Sequence, residues 1–139
     1  MRALLTKAKY YLDKPYIKVG YDPSSGILFN IWNGFASYDE VLHIGERTLE
    51  AALFERPKKA LFDTSNMEVL DERSQHYITN EFAQKLRESG IMYTATVIPE
   101  DEFAQTSVDR IKDAIAPKAV TEVRYFKKLS SAVKWLNSN

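Results

Sequence analysis

A repeated alternation of helical and strand patterns is the feature of this sequence that most restricts its fold. Helical patterns begin near residues 37, 71, 99 and 130, and strand patterns lie between them at 59–63, 91–98 and 120–127. Neighbouring parallel strands need a long crossover, usually a helix, and nearly all such crossovers are right-handed. The sequence therefore predicts an α/β fold with a mostly parallel sheet.

The predicted helices carry start and stop signals. Ser37 stands three residues before Glu40, which is the spacing of a capping box, and Pro57 ends that helix. The second helix is predicted to begin near Asp71 and to end at Gly90, a residue type that suits a helix C-terminus. Both helices therefore have boundaries that short local patterns predict.

The N-terminal part of the chain predicts a hairpin and a helix. Ile17 and Val19 alternate with polar residues, a turn at 22–26 follows, and a second strand is predicted at 27–32. These two strands add an antiparallel edge to the sheet. Before them, apolar residues at helical spacing predict an N-terminal helix over 1–14, namely Leu4, Leu5, Ala8, Tyr11 and Leu12.

Polar residues within the strands bear on the distribution of the helices. Thr94 and Thr96 share one face of the strand at 91–98, and Asn30 interrupts one face of the strand at 27–32. A strand buried on both faces is more uniformly apolar, so one face of the sheet is expected to be less covered. Crossovers of one hand allow either a sequential strand order with the helices on one face or a doubly wound order with helices on both faces. The polar residues favour the first, so we predict five strands in near-sequential order with helices mainly on one face, and the N-terminal helix over part of the other.

Composition and charge exclude several classes of function. The 139 residues fit a single domain, with the helical extension at 1–14 and a core at 15–137. Nineteen acidic residues balance nineteen basic ones, so no nucleic-acid partner is expected. The chain has no cysteine, no apolar run near the ~20 residues of a membrane span, and no signal-peptide pattern. We therefore expect a cytoplasmic protein.

Four small polar residues close the apolar strand that begins at Lys59, and they form the main candidate site: Asp63, Thr64, Ser65 and Asn66. Ligands collect at the carboxyl ends of parallel strands, so these residues are candidates for a binding or regulatory loop. The same residue types also form plain turns, in which a side-chain oxygen accepts hydrogen bonds from nearby backbone N–H groups. The residues alone leave both interpretations open.

Motifs for catalysis and for metal binding are absent from the sequence. His43 and His76 are the only histidines and lack a short ligand spacing, so neither a metal nor another cofactor is predicted. Ser65 lacks a Gly-x-Ser-x-Gly elbow, and the chain has no glycine-rich phosphate loop. We expect no enzyme, and a hydrolase that uses Ser65 and a histidine is the least supported alternative.

Three short motifs follow the order and spacing of a known family. They are Trp32-Asn33-Gly34 after the second strand, Leu61-Phe62-Asp63 at the end of the third, and Arg124-Tyr125-Phe126 followed by Ala132, Trp135 and Leu136. With them, the chain resembles the SpoIIAA-like branch of the STAS (anti-sigma-factor antagonist) fold, also described as STAS/SEC14-like, over residues 16–136. The resemblance implies a STAS-like domain that acts as a non-enzymatic regulatory or protein-interaction module with a protein partner.

The resemblance also implies a role for Ser65. In the best-known members the third strand ends in Asp-Ser-Ser-Gly, and its second Ser, which is phosphorylated, falls on Ser65 of this sequence. Ser65 is therefore the candidate phosphoacceptor. Thr64 and Asn66 replace the first Ser and the Gly, and residues 67–70 separate the motif from the helix predicted near Asp71.

The SEC14 side of the resemblance implies an alternative function, that of a small apolar-ligand or lipid carrier. The candidate pocket-lining residues are Trp32, Met67, Tyr93 and Phe103. The less covered sheet face, or the edge of the hairpin, also offers a surface for a homodimer.

Overall fold

The computed structural model describes residues 7–116 and 121–139. Within them, six strands form one sheet: β1 Lys9–Lys14, β2 Ile17–Asp22, β3 Ile27–Gly34, β4 Lys59–Met67, β5 Tyr93–Val97 and β6 Glu122–Phe126. Four helices pack on it: α1 Tyr38–Glu55, α2 at 72–88, α3 Glu102–Ile115 and α4 Leu129–Asn137. Helix α2 has three consecutive segments, Glu72–Tyr77, a π-helical turn at Ile78–Phe82, and Ala83–Glu88. In this part of the chain, every helix is too short or too polar to cross a membrane.

The strands lie in the sheet in their order along the chain. Strands β1 to β3 pair antiparallel, and strands β3 to β6 pair parallel. Each parallel pair is joined through one helix, α1, α2 or α3, which carries the chain back across the sheet. The predicted α/β class, the near-sequential order and the antiparallel N-terminal edge are confirmed.

The N-terminal helix predicted over 1–14 is wrong for the part of it that the structure describes. Residues Lys9–Lys14 form β1, which pairs with β2, so the sheet has six strands instead of five. A register shift within β1 is a bulge, and the adjacent residues Tyr11 and Leu12 both pack against the core that α1 covers. Two consecutive core residues are typical of a helix, because successive side chains of a regular strand point to opposite faces. The predicted residues at 1–6 lie outside the described residues.

The helices are divided unequally between the two faces of the sheet. Helices α1, α2 and α3 cover one face, where Leu28 of β3 packs in one core cluster with Ala52 and Phe82. Helix α4 covers the opposite face, where Leu136 packs in a cluster with Phe29. The helices are thus mainly on one face, as predicted, but the helix on the other face is α4. We call the first face the three-helix face.

The polar strand residues lie on the three-helix face. Asn30, Thr94 and Thr96 line a pocket beneath α2 and α3. The interpretation that placed them on a less covered face is therefore wrong, and these side chains mark an interior site instead. On the opposite face Phe29 and Ala95 are fully buried, so the sheet face that was expected to be open to a homodimer is covered by α4.

Local signals bound the helices as predicted. The Ser37 N–H donates to Glu40 Oε1 (2.8 Å) and the Glu40 N–H donates to Ser37 Oγ (3.2 Å), which completes the capping box of α1. Asp71 caps α2 by accepting a hydrogen bond from the Ser74 N–H (2.7 Å). Arg56 ends α1 in the left-handed conformation, with φ of 53°.

Candidate functional site

Strand β4 continues beyond its predicted end and includes all four candidate residues. Asn66 pairs with Asn33 of β3, and Met67 pairs with Gly34. Residues 63–66 therefore belong to a strand and not to a free loop, but the pairing register shifts at Thr64 and Ser65, opposite residues 31–33 of β3. The predicted hydrogen bond from a backbone N–H to a side-chain oxygen two residues earlier is present, from Ser65 to Asp63. A binding or regulatory role for these residues stays a prediction.

Asp63, Thr64 and Ser65 make a compact set of hydrogen bonds. Asp63 is buried, and its Oδ1 accepts hydrogen bonds from the Ser65 hydroxyl (2.6 Å) and from the Ser65 N–H (3.1 Å). Thr64 Oγ1 donates to the carbonyl oxygen of Val97 on β5 (2.5 Å). The hydroxyl proton of Ser65 is therefore directed at a carboxylate.

Neither histidine takes part in this set of bonds. His43 on α1 and His76 on α2 are exposed, and the partner of the Ser65 hydroxyl is the Asp63 carboxylate. The arrangement lacks the serine–histidine pair that a hydrolase of the predicted kind requires. Within residues 7–116 and 121–139, no group of three acidic or histidine side chains is placed to hold a metal ion.

Three large apolar side chains are exposed where the adjacent strands β3, β4 and β5 end. Phe35, Val69 and Phe103 are 54 %, 46 % and 73 % exposed. Phe35 directly follows β3, and Val69 lies two residues after the end of β4. Phe103 lies in the first turn of α3, which follows β5. We call the surface formed by residues 35–39, 65–72 and 99–103 the carboxyl edge.

Backbone hydrogen bonds join the segments of the carboxyl edge, and the edge is acidic. The Glu68 N–H donates to Gly34 O (2.9 Å), and the Glu100 N–H donates to Ser65 O (3.1 Å). The three segments therefore lie side by side. Exposed carboxylates accompany the apolar side chains along the edge: Asp39, Glu68, Glu72, Glu100, Asp101 and Glu102.

A second feature lies on the three-helix face, where an apolar pocket of about 160 Å³ separates the sheet from the helices. The strands line it with Asn30, Trp32, Phe62, Thr64, Thr94 and Thr96, and the helices with Ile44, Ile78, Phe82, Leu86, Val108 and Ile111. An engineered cavity of about 150 Å³ with aliphatic and aromatic walls binds benzene. The pocket therefore has the volume for a ring-sized ligand.

Two of the four predicted pocket residues line this pocket, and two do not. Trp32 and Met67 lie on its wall. Tyr93 instead packs edge-on against Trp135 of α4 on the opposite face, with 6.1 Å between ring centroids, and Phe103 is exposed on the carboxyl edge. No pattern in the sequence indicated that α2 forms part of the pocket wall. Threonines at alternate positions of an apolar central strand were the available signal for the pocket floor.

The π-helical turn Ile78–Phe82 of α2 forms part of the pocket wall. The Ala83 N–H donates to Ile78 O, five residues earlier, and Ile78, Phe82 and Ala83 all line the pocket. The Phe82 ring meets the Phe62 ring of β4 edge-on at 6.1 Å. Such turns are rare and occur frequently at functional sites. The turn is thus a second observation, independent of the volume, that favours the pocket as a binding site.

The ionisable side chains that line the pocket are Tyr77, Arg87 and Tyr125. Burial raises the pKa of Tyr77, and nearby glutamates raise it further. Burial likewise raises the pKa of Tyr125, with smaller contributions from aspartates of α3. Both phenols stay protonated at neutral pH, and the described lining residues include no carboxylate or imidazole that could act as a base.

Comparison with known proteins gives matches among solved structures. No protein-family model matches the sequence, and no curated protein matches it. A proposed anti-sigma factor antagonist from Thermotoga maritima matches with a TM-score of 0.56 and 18 % identity, over 80 % of this chain and 87 % of that one. A protein of the DUF3478 family with a SpoIIAA-like fold, from Shewanella loihica, matches with a TM-score of 0.58 and 18 % identity, over 90 % and 97 %. This chain has the SpoIIAA-like fold.

Within the SpoIIAA-like fold, the three motifs that carried the resemblance have structural roles. Trp32 lines the pocket, Asp63 accepts the hydrogen bond of Ser65, and Trp135 packs α4 against Phe126, with 5.8 Å between ring centroids. The resemblance based on these motifs is confirmed at the level of the fold.

Proposed function

We propose that this chain is a non-enzymatic regulatory module of the STAS type that docks a protein partner at the carboxyl edge. The SpoIIAA-like fold supports this, since the proposed anti-sigma factor antagonist shares it. The observation that carries the proposal is the exposure of Phe35, Val69 and Phe103 along one edge. Backbone hydrogen bonds place the segments that carry these side chains next to one another, and adjacent exposed apolar side chains within a polar rim are typical of interaction sites.

The charge of the carboxyl edge indicates the chemistry of the partner. Glu68, Glu100 and Glu102 are exposed beside the apolar side chains, whereas the net charge of the whole chain is zero. A partner surface with apolar and basic side chains is attracted to this edge, and an acidic surface is repelled. We expect such an association to weaken as salt is added.

Ser65 is proposed to keep the carboxyl edge ordered, and its phosphorylation to disturb that order. Its hydroxyl donates to Asp63, and its carbonyl oxygen accepts from the Glu100 N–H. A phosphate on Ser65 would stand beside the Asp63 carboxylate, where like charges repel. The N-terminus of α2, which begins at Glu72, does not follow Ser65 directly. We therefore expect Ser65→Asp to weaken docking more than Ser65→Ala, and equal binding by both variants would end the proposal of a switch.

Two phenylalanines with the same exposure provide a matched test of docking. Phe103 on the carboxyl edge and Phe54 near the end of α1 are each 73 % exposed. We would purify the wild type, Phe103→Ala and Phe54→Ala with their partners from the native host and quantify the partners by mass spectrometry. We expect Phe103→Ala to lose a partner that Phe54→Ala retains. The same partners with all three chains, or none above an unrelated protein, would contradict the proposal.

The pocket supports a second candidate function, the binding of a small apolar ligand. Its volume of about 160 Å³ is close to that of the engineered cavity that binds benzene, which suits a single ring. The test is the change in melting temperature of the wild type and of Ala83→Leu with toluene as the probe. Ligands that bind only the folded state raise the melting temperature, so we expect a rise for the wild type and none for the filled pocket. No rise for the wild type would exclude ligands of this size.

A further inference from the structure

Three polar side chains on the pocket wall have no partner within the described chain. Arg87, Thr94 and Thr96 line the pocket, and none of their side chains makes a hydrogen bond or an ion pair with a residue of 7–116 or 121–139. Thr96 is 9 % exposed, and Arg87 is half-buried. Their polar atoms are open to solvent within the pocket, since among the described residues the Ser74 hydroxyl is the one side-chain polar group that is both fully buried and unbonded. These groups therefore have bonding capacity that a pocket ligand can use.

Other polar groups on the pocket wall are bonded within the described chain. Thr64 lines the same pocket, but its hydroxyl donates to Val97 O (2.5 Å). The hydroxyl of Thr48, on α1, lies 2.7 Å from Ile44 O and 3.1 Å from Asn30 Oδ1. The hydroxyls of Tyr77, Thr121 and Tyr125 also line the pocket without a hydrogen bond to a described residue, and Arg87, in the last turn of α2, is the one cationic side chain among the described lining residues.

From these groups we propose that the pocket ligand is a small apolar monocarboxylate, whose carboxylate binds the Arg87 guanidinium and whose apolar body fills the pocket. The proposal rests on the second candidate function. A guanidinium presents N–H donors in a fork that matches both oxygens of a carboxylate. The described lining residues include no Asp or Glu to repel an anion, whereas a cationic ligand would meet Arg87.

The remaining lining restricts the rest of the ligand. Thr94 and Thr96 lie two residues apart on one face of β5, so both hydroxyls can bond to a polar atom next to the apolar body. The volume of about 160 Å³ limits that body to about the size of one ring. Phenylacetate has this shape and charge, and 2-phenylethanol is its neutral counterpart, so the two serve as probes.

The test measures the affinity of both probes by titration calorimetry for the wild type, Arg87→Met and Lys85→Met. Methionine keeps an apolar stem and removes the guanidinium. Lys85→Met is the matched control, because Lys85 lies on the same helix segment, loses the same charge, and is exposed outside the pocket. We expect Arg87→Met to weaken phenylacetate binding by about tenfold or more, the effect of one charge-assisted hydrogen bond, and to leave 2-phenylethanol unchanged. Lys85→Met should change neither affinity by more than about twofold, since exposed charges are screened.

The outcomes separate this inference from the proposal on which it rests. Equal binding of both probes by the wild type, or equal effects of Arg87→Met and Lys85→Met, overturns the carboxylate inference and leaves apolar-ligand binding in place. If the wild type binds neither probe, both the carboxylate inference and the proposal of apolar-ligand binding are overturned. If Arg87→Met weakens the two probes equally, Arg87 acts through packing alone, and the inference is again overturned. Circular dichroism of each variant shows whether the fold is kept before the affinities are compared.

Discussion

The hydroxyl of Ser65 donates a hydrogen bond of 2.6 Å to Oδ1 of Asp63, two residues earlier in β4. We expect Ser65→Ala to lower the free energy of unfolding by about 1 kcal/mol, because a buried carboxylate loses a donor. Ser25→Ala is the matched control, since the Ser25 hydroxyl donates to Asp22 Oδ2 at the same distance in the turn after β2. Urea denaturation measures both changes. Partner binding should fall with Ser65→Ala alone, and an equal fall with Ser25→Ala would assign it to stability.

Tyr77 of α2 packs so closely on Gly45 of α1 that a Cβ at position 45 would overlap its ring and hydroxyl. Alanine has a higher helix propensity than glycine by about 1 kcal/mol, but overpacking costs about 1–3 kcal/mol. We therefore expect Gly45→Ala to destabilise the wild type and to stabilise the Tyr77→Ala variant, where the ring is gone. Denaturation of the four chains of this cycle measures the difference. The same effect in both backgrounds would show that the contact between Tyr77 and position 45 does not affect stability.

Ser74 is fully buried, and its hydroxyl has no hydrogen-bond partner among the described residues. We expect Ser74→Ala to raise the free energy of unfolding by about 0.5–1.5 kcal/mol, because it removes an unpaired polar group and improves helix propensity. Ser107 is equally buried, but its Oγ accepts a hydrogen bond from the Leu70 N–H (3.2 Å). Ser107→Ala should therefore lower the free energy of unfolding. If Ser74→Ala lowers it as well, the Ser74 hydroxyl has a hydrogen-bond partner and the prediction is wrong.

The Tyr11 hydroxyl donates to Glu55 Oε2 (2.8 Å), and burial, with the help of this carboxylate, raises the pKa of Tyr11 to about 12. An unfolded tyrosine has a pKa near 10, so the folded chain holds this proton more tightly. The resulting stability is complete below about pH 10 and is lost as the pH rises towards 12. We expect the advantage of the wild type over Tyr11→Phe in free energy of unfolding to be constant from pH 8 to 9.5 and to decline by pH 11. A constant difference up to pH 11 would contradict the pKa shift.

Much of the fold could be predicted because its signals are local. The capping box of Ser37 and Glu40 and the cap at Asp71 depend on neighbours within one helical turn, so the sequence alone contains them. The crossover rule allows both a sequential and a doubly wound strand order. The sequential order was chosen from the polar residues of the strands, and it is right even though those residues lie on the three-helix face. Strand β1 was predicted to be a helix because its bulge places the consecutive residues Tyr11 and Leu12 against the same core. Consecutive core residues are typical of a helix in the sequence, although this segment is a strand in the structure.

The candidate site was harder to predict because it depends on pairing across the sheet. The stretch at 63–66 becomes a strand only because β3 extends far enough to pair with it. Because Thr94 and Thr96 are polar, their face of β5 was predicted to be less covered by helices. Helices α2 and α3 cover this face and leave a pocket above it. Which side of a strand a helix covers is a property of the whole topology, so periodicity within one strand could not supply it.

The sequential strand order has a consequence for synthesis. Each strand from β2 onwards pairs with the strand that precedes it in the chain, so its neighbour has always been synthesised before it. The face that carries Phe29 and Ala95 is different, because the element that covers it, α4, is the last of the described elements to be made. A chain released before Leu129 would lack the helix that covers this face, and exposed apolar surface of that kind is what makes incomplete chains prone to aggregate and dependent on chaperones.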